Sequence, residues 1–119
     1  MTVQRSRRIT ARARITGRWR IVQMALWDQD VVDLVQPGYI VFAGSSDGQF
    51  GFAVVEGWMD CAHSDLDGRA HVAFSWDGSD EGDAVCGRGW ATQHEDGTLE
   101  GELCFHLGDS SGFVAHRDE

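Results

Sequence analysis

The chain has no lysine, a single proline, and no apolar run approaching the roughly 18 residues of a membrane-spanning helix. Its three cysteines (Cys61, Cys86, Cys104) form no C-x-x-C pair. An odd, unpaired set predicts free thiols in a reducing compartment, with the cytoplasm as the expected location. No apolar stretch follows the charged start, so no secretory signal is expected. No catalytic motif, metal signature or nucleotide-binding loop stands out. The all-arginine cation set reads as genome composition rather than selection for guanidinium chemistry.

What is present is charge asymmetry and alternation. Residues 1–20 hold seven Arg and no acid, whereas residues 21–119 hold three Arg and nineteen acids. An acidic body repels nucleic acid and anionic membranes, so neither is an expected partner. The Arg-rich start can bind phosphates, fold back on the acidic body, or stay solvated. At 119 residues and 42% apolar content the chain is expected to form one domain with a real core. Residues 1–13 read as a basic flexible arm, and residues 14–119 as the domain.

The dominant pattern is period two punctuated by Asp-Gly. Asp47-Gly48, Asp67-Gly68, Asp77-Gly78 and Asp96-Gly97 each sit between alternating runs, and Asp-Gly supplies the positive φ that tight hairpins need. A fifth turn is expected at 108–112. Seven strands follow, at about 15–26, 38–44, 49–62, 69–76, 87–94, 98–107 and 112–117. Alternation through Ala11, Ala13 and Ile15 runs into the first. The third loses its alternation near Val54-Val55-Glu56-Gly57, where a bulge or bend is expected. Only residues 27–36 break the pattern. Early acids, Val31, Leu34 and Val35 at helical spacing, and Pro37 as a stop predict a short helix there. The fold class is therefore all-β: an antiparallel up-and-down meander forming a small barrel, with one short helical segment after the first strand.

Gly17-x-Trp19 at the start and Arg117 near the end resemble the bracket of the calycin superfamily, the lipocalins, fatty-acid-binding proteins and avidins. The resemblance implies a barrel in which Gly17 lets the first strand curve, Trp19 plugs one end, and Arg117 stacks on the indole as a structural cap. The helical stretch after the first strand is similar to the lid of the fatty-acid-binding branch. The family has eight to ten strands, and no Arg-x-Tyr carboxylate clamp lies near this chain's end. The segments Gly-Arg-Trp-Arg-Ile, Leu-Trp-Asp-Gln-Asp, Gly-Arg-Gly-Trp and His-Leu-Gly-Asp also resemble a group of short bacterial proteins, which implies no activity.

Candidate chemistry is sparse. Asp77, Ser79, Glu81, Gly82 and Asp83 imitate part of a calcium loop, but Arg88 stands where the bidentate Glu belongs, so an acidic solvated turn is expected. Cys61, His63 and His71 could approach one another across a hairpin as zinc would need; a packed Cys with surface histidines is the expected alternative. Asp109, Ser110 and His106 read as hairpin chemistry rather than as a hydrolase. No metal and no cofactor are expected, and an enzyme is the remote reading.

The aromatics carry the functional question. Trp19, Trp27, Tyr39, Phe52, Trp58, Trp76, Trp90 and Phe105, with Glu56 and Arg88 for polarity, either line a ligand pocket or fill the barrel. In the first case the chain is a non-enzymatic binding protein, holding a small apolar or aromatic ligand under a lid that carries Trp27. In the second it is a solid interaction module, and an incompletely closed sheet would favour a homodimer.

Overall fold

The computed structural model describes residues 10–118. A five-residue helix α1 (Ala11–Ile15) leads into β1 (Gly17–Met24). A single turn α2 (Gln29–Val32) follows, and then come β2 (Tyr39–Phe42), β3 (Asp47–Phe52), β4 (Val55–Leu66), β5 (Arg69–Asp80), β6 (Asp83–Gln93), β7 (Leu99–Phe105) and β8 (Ser110–Arg117). Each strand pairs antiparallel with the next, and β8 pairs with β1, so the meander closes into an eight-stranded barrel.

The eighth strand comes from the expected bulge in the third. The chain does not bulge there; it reverses at Ala53-Val54, with Ala53 at φ 51°, and Phe52 then pairs with Val55. The turn carries no Gly, Asn, Asp or Pro, so turn chemistry does not announce it. It is held from outside, by the Ala53 N–H donating to the Val32 carbonyl at 2.7 Å.

Two of the expected Asp-Gly turns are turns: Asp67-Gly68 and the loop containing Gly97. Two are not. Asp47-Gly48 opens β3, and Asp77-Gly78 lies inside β5. The β5–β6 reversal is Glu81-Gly82, both at positive φ. Gly78 serves close backbone approach instead, since a Cβ there would run into the Glu56 carbonyl across the β4–β5 pair. The last hairpin turns at Leu107–Asp109.

The interior is packed. Trp19, Ile40, Phe42, Phe50, Phe52, Val72, Phe74, Trp76, Leu99, Leu103 and Phe113 belong to one continuous buried cluster. Its aromatics interlock with glycines on the neighbouring strand. Phe50 is in register with Gly57, Phe74 with Gly89 and Phe113 with Gly101. A Cβ on Gly89 would lie 2.6 Å from Phe74 Cζ, and one on Gly101 2.7 Å from the Phe113 ring. Each ring occupies the place of a missing side chain, which lets many large rings fit a narrow barrel.

Both ends are plugged. At one end α1 inserts Ile15, fully buried, beside Trp19. Residues 11–15 are thus helical, not the strand continuation that alternation suggested; Ile9 lies outside the described residues, as does most of the expected arm. At the other end α2 is clamped by Asp33. Its carboxylate accepts from Arg20 at 3.0 and 2.9 Å, from Gln29 Nε2 at 3.1 Å, and from the Gly38 N–H at 2.8 Å. Val32 is the residue α2 buries, whereas Val31, Leu34 and Val35, the residues at helical spacing, are exposed. No helix among the described residues is long and apolar enough to cross a membrane.

Candidate functional site

The expected site residues separate into two sets. Trp19, Phe52 and Trp76 lie inside the barrel, Phe105 faces inward at its rim, and Trp27 packs on Phe52 at 5.2 Å across the α2 end. The Trp76 indole meets Phe50 and Phe105 edge-on, at 5.0 and 5.2 Å. Its Nε1 is buried and has no hydrogen-bond partner among the described residues.

Tyr39, Glu56, Trp58, Arg88 and Trp90 lie outside. Glu56 and Trp58 are exposed because the Ala53-Val54 reversal shifts the inward parity to Val55, Gly57 and Met59. Trp90 and Arg88 are exposed because Gly89 takes the inward position beneath Phe74. Trp90 stacks instead on His71, at 6.1 Å. Tyr39 is buried on the outer surface, over Gly51, with its hydroxyl accepting from Gln49 and Arg18 4.3 Å from its ring. These ten residues do not converge on a pocket in the barrel interior.

The cap residues do come together. The Arg117 guanidinium carbon sits 4.1 Å from the Trp19 ring centroid. The same side chain donates to the Thr16 carbonyl at 2.7 Å and the Arg14 carbonyl at 2.6 Å, the open carbonyls at the end of α1. Trp19 Nε1 donates to the Ile15 carbonyl at 2.9 Å. Gly17 has φ 123°, and a Cβ there would lie 2.8 Å from the guanidinium.

Metal and catalytic groupings do not assemble. Cys61 and His63 face inward on β4, and His63 is in register with Val72; His71 is on the opposite face, donating to or accepting from Thr92 at 2.7 Å. Burial pushes the Cys61 thiol up to about 11. It also lowers the His63 pKa, reinforced by the Arg12 guanidinium, and both His63 ring nitrogens lack a partner among the described residues. The carboxylates of 77–83 are spread along two strands and a turn rather than wrapped around a centre. Among the described residues no group of three or more His, Cys, Asp or Glu is placed to hold a metal.

The concave features are on the surface. A groove of about 410 Å3 runs along the start of β6, lined by Asp77, Ala84, Val85, Cys86, Phe105 and His106. A second depression of about 240 Å3 adjoins it, sharing Cys86, Phe105 and His106 and reaching Arg88, Cys104 and Leu107. Both are open to solvent. Sequence reasoning named Phe105 and Arg88 here, read His106 as hairpin chemistry, and missed Ala84 and Val85. Their signal is the length mismatch between a β6 that starts at Asp83 and a β7 that ends at Phe105.

Comparison with protein-family models, with curated proteins and with solved structures returned no match. The functional reading rests on this geometry.

Proposed function

We propose that this chain is a non-enzymatic, calycin-like binding protein that holds an apolar or aromatic group in the groove at the start of β6, not in its interior. The observation that carries the reading is the groove itself. Its volume falls in the range of ligand sites, and its lining combines the apolar Ala84, Val85 and Phe105 with the polar Asp77 and His106. Aromatic rings occupy the interior over the inward Gly57, Gly89 and Gly101, which supports placing the ligand outside. The calycin-like assignment is supported by the closed meander and by the Trp19–Arg117 stack. Three free cysteines support a reducing, cytoplasmic setting.

Chemistry on a bound group is not part of the reading. Cys86 and His106 border the groove, and among the described residues no hydrogen bond joins thiol to imidazole. The test is uptake of Nile red, an uncharged apolar dye, followed by its emission and by transfer from the Trp76 indole. Binding that is abolished by Val85→Glu and unaffected by Trp58→Ser supports the groove. Binding insensitive to Val85→Glu, or no binding, removes it.

A further inference from the structure

The groove borders one of the stretches of the closed sheet where a long strand outruns its neighbour, as β4 also outruns β3 beyond Cys61. β6 pairs with β5 from Asp83 onward, but its pairing with β7 begins only at Gly87–Phe105. The His106 N–H donates to the Cys86 carbonyl at 2.8 Å, so the Cys86 backbone faces the β7 side. By alternation the N–H and C=O of Ala84 face the same way, past the point where β7 ends. Asp83–Cys86 is therefore a short open edge, and the groove over Val85 and Phe105 runs beside it. Backbone edge plus side-chain groove is the recognition geometry of an added strand.

The charge around the edge selects the occupant. Asp77, Asp80, Glu81 and Asp83 flank it, Glu56 lies opposite Ser79 on the next strand, and none of the five forms an ion pair among the described residues. Two copies of this edge pairing with each other would bring the acids face to face. The complementary segment is in the chain itself: residues 1–9 carry Arg5, Arg7 and Arg8 with no acid, alongside Val3 and Ile9. They cannot reach the edge of their own barrel. α1 is tied to the β4–β5 turn, where Arg14 donates to the Gly68 carbonyl, and the open edge lies at the far end of β5. The near end of the edge, Cys86, pairs with Asp77, eight residues along β5 from Arg69, or about 26 Å. Pairing four residues of the arm leaves five, which span about 18 Å at most.

We infer that residues 1–9 of one copy add as a strand to Asp83–Cys86 of a second copy, with their arginines among the hairpin acids and an apolar side chain in the groove. This rests on the groove reading above and names its occupant. The contact is heterologous, and closes as a reciprocal exchange of arms between two chains.

Full-length chains test it by charge exchange, with molar mass from light scattering as the readout. The unmodified chain is expected to dimerise at roughly 0.05 M salt and dissociate at roughly 0.5 M. Arm reversal (Arg5→Glu, Arg7→Glu, Arg8→Glu) and hairpin reversal (Asp80→Lys, Glu81→Lys, Asp83→Lys) should each give monomers. Mixing the two variants restores every opposite-charge contact and should restore the dimer. A chain that is monomeric at low salt, a dimer that survives either reversal, or a mixture that stays monomeric overturns the proposal. Circular dichroism establishes that both variants are folded, and a peptide of residues 1–9 added to the arm-reversed chain provides a second readout, with no binding counting against the inference. Nile red uptake by the arm-reversed chain separates the two readings. It persists if only the arm assignment fails and is lost if the groove reading fails.

Discussion

The Phe74 ring lies on the α-carbon of Gly89, its partner across the β5–β6 pair, at a distance that leaves no room for a methyl group. This contact decides the character of the barrel. An inward glycine paired with an inward ring uses the interior volume that a ligand would need, and the pairing recurs at Phe50–Gly57 and Phe113–Gly101.

Gly89→Ala is therefore expected to destabilise by about 1–3 kcal/mol, the range for overpacking a well-filled core. Urea denaturation measures it. Phe74→Leu in the same chain should relieve part of the cost, so the double variant should be less destabilised than the two single effects combined. A fully additive pair would contradict direct contact.

Arg117 joins β8 to the end of α1 and to the Trp19 ring. Arg117→Ala should cost about 1–2 kcal/mol, given a partly exposed cation–π contact and two charged hydrogen bonds. Arg117→Lys should recover less than half, because one ammonium cannot reach both carbonyls while lying flat on the indole. Melting temperatures of the three proteins test the order.

Asp33 links acid stability to α2. Hydrogen bonds from Arg20, above all, hold its pKa at about 2, with Gly38 and Gln29 adding to the effect against burial. A carboxylate depressed in the folded state stabilises above its unfolded pKa, and that contribution disappears as pH falls from about 4 through 2. Asp33→Asn should lower stability at neutral pH and flatten the dependence below pH 4. Chemical denaturation at a series of pH values reads both effects.

His63 acts in a higher window. Burial and the Arg12 guanidinium depress its pKa below 6.5. The folded state therefore favours the neutral ring, and stability is full above the unfolded value. It falls as pH drops below about 6.5, where the unfolded chain binds the proton first. His63→Phe, placed against the Phe42 ring 6.2 Å away, should remove this slope while leaving the lower one from Asp33. An unchanged slope between pH 6.5 and 5 would assign it to another group.

Trp58 is half-exposed on the outer face of β4. Trp58→Ser should change stability by less than about 0.5 kcal/mol, as surface substitutions do. A cost of several kcal/mol would mean that the strand faces inward after all.

Sequence alone determined the all-β class, the closing bracket of Trp19 and Arg117, the helical turn after the first strand, and the alternation of β5 and β7. The class, the helical turn and the alternation follow from local chemistry, period two and the stop at Pro37, whereas the bracket was read from its resemblance to the calycin superfamily. Three matters were decided only by tertiary structure. The reversal at Ala53-Val54 has no turn residue to mark it, because its positive φ is held by a hydrogen bond from a segment 21 residues away. That reversal exchanged the faces of β4, which moved Glu56 and Trp58 from interior to surface. Trp90 lies outside although it is more apolar than the Gly89 that lies inside, because the volume available on each face is set by the ring on the neighbouring strand. Hydrophobicity assigns residues to a face only when the opposite strand is known. Register, which makes that assignment, is a property of two segments at once and cannot be read from either one.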